Sequence, residues 1–183
     1  MLDLGHRHIA FISAMMNTTN VIRLRRLQGV KDTYAERPGC TVQVFTRDYT
    51  PKEELNSIDL EQRIGYELTM DCLKRKSRIS GFVAVNDFIA YGVLDAIADR
   101  GFRVPEDYSV CGFNNLSSSR ISHVGLTTVE QQTEERARSA FDILYERIIG
   151  GDAASDIIRM EYTHRLLERR STAPFRQIPQ EKS

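Results

Sequence analysis

Apolar positions along this chain alternate between short runs and helical spacing. Residues 9–14 (IAFISA) form a short apolar run, and MMNTTN follows as a polar loop whose Asn and Thr suit a helix start. Val21, Leu24, Leu27, Val30 and Tyr34 then recur every three or four positions until Pro38-Gly39 stops the pattern. CTVQVF (40–45) reads as a second strand. Ile64, Leu68 and Cys72 mark a second helical stripe, which ends in KRKSR. ISGFVAV (79–85) is apolar on both parities, as in a strand buried on both faces. Ile89, Ala90, Val93, Leu94, Ile97 and Ala98 continue as an amphipathic helix closed by Gly101. YSVCGF (108–113) is a fourth strand.

Strands and helices alternating at these lengths predict an α/β protein with a doubly wound parallel sheet, because right-handed crossovers place helices on both faces. The rhythm changes after residue 125. LTTVEQ is a short strand, and Ala137, Ala140, Phe141, Leu144 and Ile148 mark a long helix stopped by Gly150-Gly151. Ile158, Met160 and Tyr162 alternate with Arg159, Glu161 and Thr163, the pattern of a strand with one wet face. STAPFRQIPQEKS reads as a frayed tail.

Composition narrows the function classes. At 183 residues, 41% hydrophobic and 27% charged, the chain has material for one sizeable core. Its 25 Lys and Arg balance its 25 Asp and Glu, so no overall basic field points to nucleic acid or an acidic membrane. Three widely spaced cysteines, Cys40, Cys72 and Cys111, fit buried thiols in a reducing cytosol better than a disulfide frame or zinc site. No apolar run reaches membrane-span length, and MLDLGHRHIA has no secretory-signal pattern, so a cytoplasmic setting is expected.

Ligands of open parallel sheets bind beyond the carboxyl ends of the strands, where loops and helix N-termini converge. The four loops expected there are MMNTTN with Arg23, Arg25 and Arg26, then Arg47-Asp48-Tyr49, Asn86-Asp87 and Asn114-Asn115. Amides, an arginine fork and an aromatic plane are what a neutral polyhydroxyl or heterocyclic ligand requires. Each residue also has a plainer reading. Asn86 or Asp87 is a good helix N-cap, Arg26 could lie on a solvated helix face, and Tyr49 could pack at a loop edge. His6 and His8 form too small a set for a metal site and read as a surface strand end; His123 and His164 have no evident partners. Enzyme motifs are missing from the sequence: no G-x-S-x-G, no P-loop, no G-x-G-x-x-G after a strand, and no Cys with an assignable His. No cofactor is expected.

The segments LGHRHIAFIS, RRLQGV, VAVNDFIAYGVLDAIADRGFRVPEDYSVCGFNN, GLTTVEQ and RLLERRST occur in an order and spacing that closely resemble the lactose repressor (LacI) family of bacterial transcription regulators. The resemblance runs to about Thr172. It implies a periplasmic-binding-protein-like fold and a chain that corresponds to part of a two-lobed effector-binding core. Residues 1–125 would be the C-terminal lobe, 126–150 a strand and helix belonging to the N-terminal lobe, 151–172 a return strand, and 173–183 a flexible tail.

Carried over residue by residue, the resemblance implies that Arg26 holds a sugar-like effector, with Asn86 a polar contact at the third strand end and Tyr49 an aromatic that stacks on the ligand. Asn17 and Thr19 would tune effector identity. Asn114 stands where many members have aspartate, and an amide can donate where a carboxylate only accepts. The resemblance further implies a homodimer formed partly by the helix of residues 88–100, and operator DNA binding only through a helix-turn-helix headpiece absent from this chain. Effector closure of the lobes would control that binding. A sugar-binding component of a transport system shares the same core fold and is the competing reading; an enzyme with a flavodoxin-like sheet is the more remote one.

Overall fold

The structure, a computed structural model, describes residues 1–17, 20–75, 77–121, 125–150 and 157–176. Strand β1 (His8–Ala14) is buried along almost all its length and lies between β2 (Thr41–Arg47) and β3 (Gly81–Ala84). β4 (Ser109–Phe113) and β5 (Thr127–Glu130) extend the sheet in parallel, and β6 (Arg165–Leu167) pairs antiparallel with β5. The order β2-β1-β3-β4-β5-β6 makes the chain step outward in opposite directions from β1. The carboxyl ends of β1 and β3 therefore flank a topological switch point, the usual crevice of an open α/β sheet.

Helices cover the two faces unequally. α3 (Leu60–Lys74) and α4 (Asp87–Asp99) pack on the face that carries Ala10, Ile12, Phe82, Ala84 and Val110, all essentially inaccessible to solvent. Two glycines let these helices touch. A Cβ on Gly92 would stand 1.8 Å from the Gln62 carbonyl oxygen, and one on Gly65 would stand 2.3 Å from that of Ile89. Among the described residues α1 (Val21–Ala35) and the N-terminal residues Met1 to Asp3 lie on the opposite face. A groove of about 510 Å³ consequently remains beside α1, over Phe11, Val83, Cys111, Phe113 and Val129. On that side of β3 Val83 is partly exposed, while Gly81 is buried, as its sequence predicts.

Several sequence expectations are corrected. A short helix, α2 (Pro51–Asn56), precedes α3; it starts at a capping box in which the Thr50 hydroxyl accepts from Glu53 N while the Glu53 carboxylate accepts from Thr50 N. The LTTVEQ strand, expected in another lobe, is β5 of this same sheet. The alternating stretch 158–163 is not a strand: Ile158 and Met160 are half-exposed, and the antiparallel partner of β5 is Arg165–Leu167 instead. Alternation marks a strand only where an edge is free to pair, and the short edge of β5 is taken by those three residues. α6 (Thr133–Gly150) forms as expected but leaves Phe141, Leu144, Tyr145, Ile148 and Ile149 largely exposed.

The start of the expected tail is bolted down. Ser171 is fully buried; its hydroxyl donates to Val110 O (2.7 Å) and accepts from Thr127 N (2.7 Å). Ala173 N donates to the Ser109 hydroxyl (3.1 Å), and Phe175 N to Leu4 O (2.7 Å). Residues 177–183 lie outside the described residues. His6, expected on the surface, is buried beneath this strap, with Nδ1 2.9 Å from the Ser80 hydroxyl and Nε2 2.9 Å from Ala173 O. His8 is partly exposed and meets the Thr41 hydroxyl at 2.9 Å. His164 has a partner in the Phe113 ring, 5.9 Å away, and His123 lies outside the described residues.

Cys72 is the buried thiol expected and Cys111 is partly buried; burial pushes them up to about 12 and about 11. Cys40 is partly exposed.

Two outcomes follow from the packing. Gly92→Ala forces α3 and α4 apart and should lower the urea unfolding free energy by about 1–3 kcal/mol. Burial lowers the pKa of His6, against the pull of the Ala173 carbonyl. An unfolded imidazole titrates near 6.5, so the contribution of neutral His6 is complete above that pH and lost as pH falls toward the lower folded value. The urea midpoint should decline as pH falls below about 6.5, and His6→Gln should flatten that part of the profile.

Candidate functional site

The five parallel strands end along one edge, and the backbone is strained there. Met15, Asn114, Asn115 and Gln132 have φ of 47°, 121°, 54° and 53°, and all four sit in loops that follow β1, β4 or β5. Positive φ in residues other than glycine marks loops held in shape by their surroundings.

Arg26 organises this edge. It projects from the second turn of α1, and the partly buried side chain crosses the strand ends. Nη1 donates to Val85 O at 2.7 Å, Nη2 approaches Asn114 Oδ1 at 3.4 Å, and the guanidinium lies 3.7 Å from the centroid of the Phe113 ring. One side chain thereby ties α1 to the ends of β3 and β4. Burial and then Arg23 depress its pKa, against the opposite pull of Asp87 and Glu61. The solvated-face reading belongs to its neighbour Arg25, which is exposed.

Asn86 has two roles at once. Its Oδ1 accepts from Ile89 N at 2.9 Å, capping α4, and its Nδ2 donates to Glu61 Oε2 at 2.7 Å. The other oxygen of Glu61 pairs with Arg23, which also donates to Ala14 O. Tyr49 is half-buried beside Arg23, and burial raises its pKa. Asn114 Oδ1 accepts from Gln131 Nε2 at 2.7 Å. Asn17 Oδ1 accepts from Asn20 N at 3.2 Å, at the start of α1. Thr19 lies outside the described residues.

Asp87, adjacent to Asn86, does not face the cleft. It is completely buried: Oδ2 accepts from Leu116 N (2.8 Å) and the Ser119 hydroxyl (2.6 Å), and Oδ1 from the Thr128 hydroxyl (2.6 Å). This carboxylate pins α5 (Ser117–Ile121) and β5 to the start of α4. Asn115 is likewise structural, donating to Glu130 Oε1 at 2.8 Å and accepting from Arg169 Nη2 at 2.6 Å. The Arg169-x-Ser171 part of the closing motif therefore fastens the chain to β4 and β5.

Sequence reasoning missed Glu61, Phe113 and Gln131. Phe113 and Gln131 had a positional signal, since each ends or directly follows a strand. Glu61 is brought in by the α3–α4 packing and had none.

Against known proteins, residues 1–172 match the model of the periplasmic binding protein-like domain. The chain belongs to that family. Among its curated relatives is the HTH-type transcriptional repressor PurR of Mannheimia succiniciproducens, 32% identical over 160 residues, which cover 87% of this chain and 45% of the relative. Similar solved structures include a LacI family regulator from Enterococcus faecalis V583 with bound ribose, 27% identical with a TM-score of 0.76, covering 96% of this chain and 58% of that one. Another is a LacI family regulator from Arthrobacter sp. FB24 in complex with lactose, 26% identical with a TM-score of 0.74, covering 93% and 59%. The chain is thus similar to the core of LacI-family regulators, and it spans about half the length of the curated relatives it matches.

The neighbouring Asn86 and Asp87 should separate sharply on mutation. Asn86→Ala removes a cap and should cost about 1 kcal/mol. Asp87→Asn leaves three donors facing an amide and should cost about 2–4 kcal/mol. Parallel urea titrations of the two variants measure the difference.

Proposed function

We propose that this domain receives a small-molecule effector at the carboxyl edge of its sheet, and that it does so as part of a cytoplasmic LacI-type regulator whose operator affinity the effector controls. The observation that carries the reading is the convergence of Arg26, Phe113, Asn114, Gln131 and Asn86 from four separate segments at the switch-point crevice. A rigid guanidinium on an aromatic face beside amides provides both a ring surface and directional hydrogen bonds. Relatives named as transcriptional repressors, and similar regulators solved with ribose and lactose, support this over a transport component or an enzyme. No helix among the described residues is long and apolar enough to cross a membrane.

In this reading Asn17, Thr19 and Tyr49 border the effector, and a second lobe closes on it. α6, with its apolar side uncovered, belongs against that lobe. The half-exposed Phe88 on α4 suits an isologous contact in a homodimer. DNA would be reached through a headpiece outside this chain.

One lobe holds a ligand on one side only, so affinity for this chain should be weak, with Kd on the order of millimolar. Backbone NMR with sugars, sugar acids and sugar phosphates tests the site: a binding member should shift the amides of Asn86, Asn114 and Gln131, and Arg26→Ala should abolish the shifts. Absence of any response at these loops, or shifts that persist in Arg26→Ala, would refute the site.

A further inference from the structure

Hydrogen-bond saturation at this edge is uneven, and the unevenness selects a ligand. The acceptors that Arg26, Arg23, Asn86 and Gln131 meet each already take a donor. Val85 O takes Arg26, Asn114 Oδ1 takes both Gln131 and Arg26, and the two oxygens of Glu61 take Arg23 and Asn86. Asp87 is sealed beneath the loops with three donors of its own. Donors remain: Asn114 Nδ2 makes no hydrogen bond among the described residues, and Arg26 Nη2 holds only a long contact of 3.4 Å.

The charges are uneven in the same sense. Arg23 pairs with Glu61, and Arg47 with Glu53 and Glu67. Arg26 has no ion pair among the described residues, and both acceptors it meets are uncharged. The depressed pKa of its half-buried guanidinium agrees: burial and Arg23 outweigh the compensation from Asp87 and Glu61. A sugar hydroxyl at this spot needs an acceptor for its own proton and must share one that already takes a donor. A carboxylate or phosphate oxygen needs only donors, gains charge-assisted bonds and neutralises Arg26.

Building on the proposed effector site, we infer that the effector carries an anionic group, as in a sugar acid or sugar phosphate, and that Arg26 with Asn114 Nδ2 forms the oxyanion contact while the sugar ring lies toward Phe113. Asn114 is then the specificity-determining residue. An aspartate there would pair with Arg26, cancel its charge and restore an acceptor for hydroxyls.

The test is NMR or calorimetric titration of this chain with paired probes: ribose 5-phosphate against ribose, glucuronate against glucose, and inorganic phosphate alone. Whichever acid class is correct should bind at least about tenfold tighter than its neutral partner, with an affinity that falls as salt is raised. Asn114→Asp should remove that preference, and Arg26→Gln should remove it without adding a carboxylate. Equal or tighter binding of the neutral sugars would overturn the anionic effector and leave the effector site standing. Inorganic phosphate as tight as ribose 5-phosphate would overturn it too, showing an adventitious ion only. No binding by any probe would overturn both the site and this inference.

Discussion

The buried carboxylate of Asp87 is the contact on which the binding edge depends. A charge without solvent is tolerable only when donors surround it, and here a backbone N–H and two hydroxyls from α5 and β5 do so. Gly112 is a consequence: a Cβ at that position would stand 2.3 Å from Asp87 Oδ1. Because the same three bonds fix the β4–α5 connection, they also hold Asn114 and Asn115 in their positive-φ conformations. The amide that meets Arg26 is positioned from beneath, by a residue that faces away from the cleft.

Above that base, Arg26 turns a row of strand ends into a surface. Its bond to Val85 O and its stacking on Phe113 hold a flexible side chain in one place. A guanidinium held this way has already lost the rotamer freedom it would otherwise lose on binding. Arg23, Glu61 and Asn86 make a second, neutralised cluster beside it. The two arginines of one helix thus have opposite electrostatic standing, one paired with a carboxylate and one not, though they are less than a helical turn apart.

The domain also shows where it is unfinished. Its α3–α4 side is packed closely enough to need glycines, whereas its α1 side is half open and α6 presents aromatic and aliphatic side chains to solvent. Exposed apolar area on that scale marks an interaction surface. It agrees with a chain that spans about half of the regulators it resembles.

Much of this was legible in the residues. Periodicity alone marked β1 to β5, α1, α3, α4 and α6, because apolar runs and 3.6-residue spacing report directly on burial. The Thr50-Pro51-Lys52-Glu53 signature of α2 was present and went unread. The loops at the strand ends, and with them Arg26, Asn86 and Asn114, followed from the rule that parallel strands share one carboxyl edge. What the sequence could not assign was the direction in which polar side chains turn. Asn86 and Asp87 are adjacent and chemically alike, yet one caps a helix at the cleft and the other is sealed in the core, since consecutive residues at a helix start point about 100° apart. His6, Ser171 and Glu61 are placed by neighbours up to 167 positions away. Local pattern determined which segments become strands and helices; only the packing of distant segments decided which polar groups are spent inside the protein and which remain for a ligand.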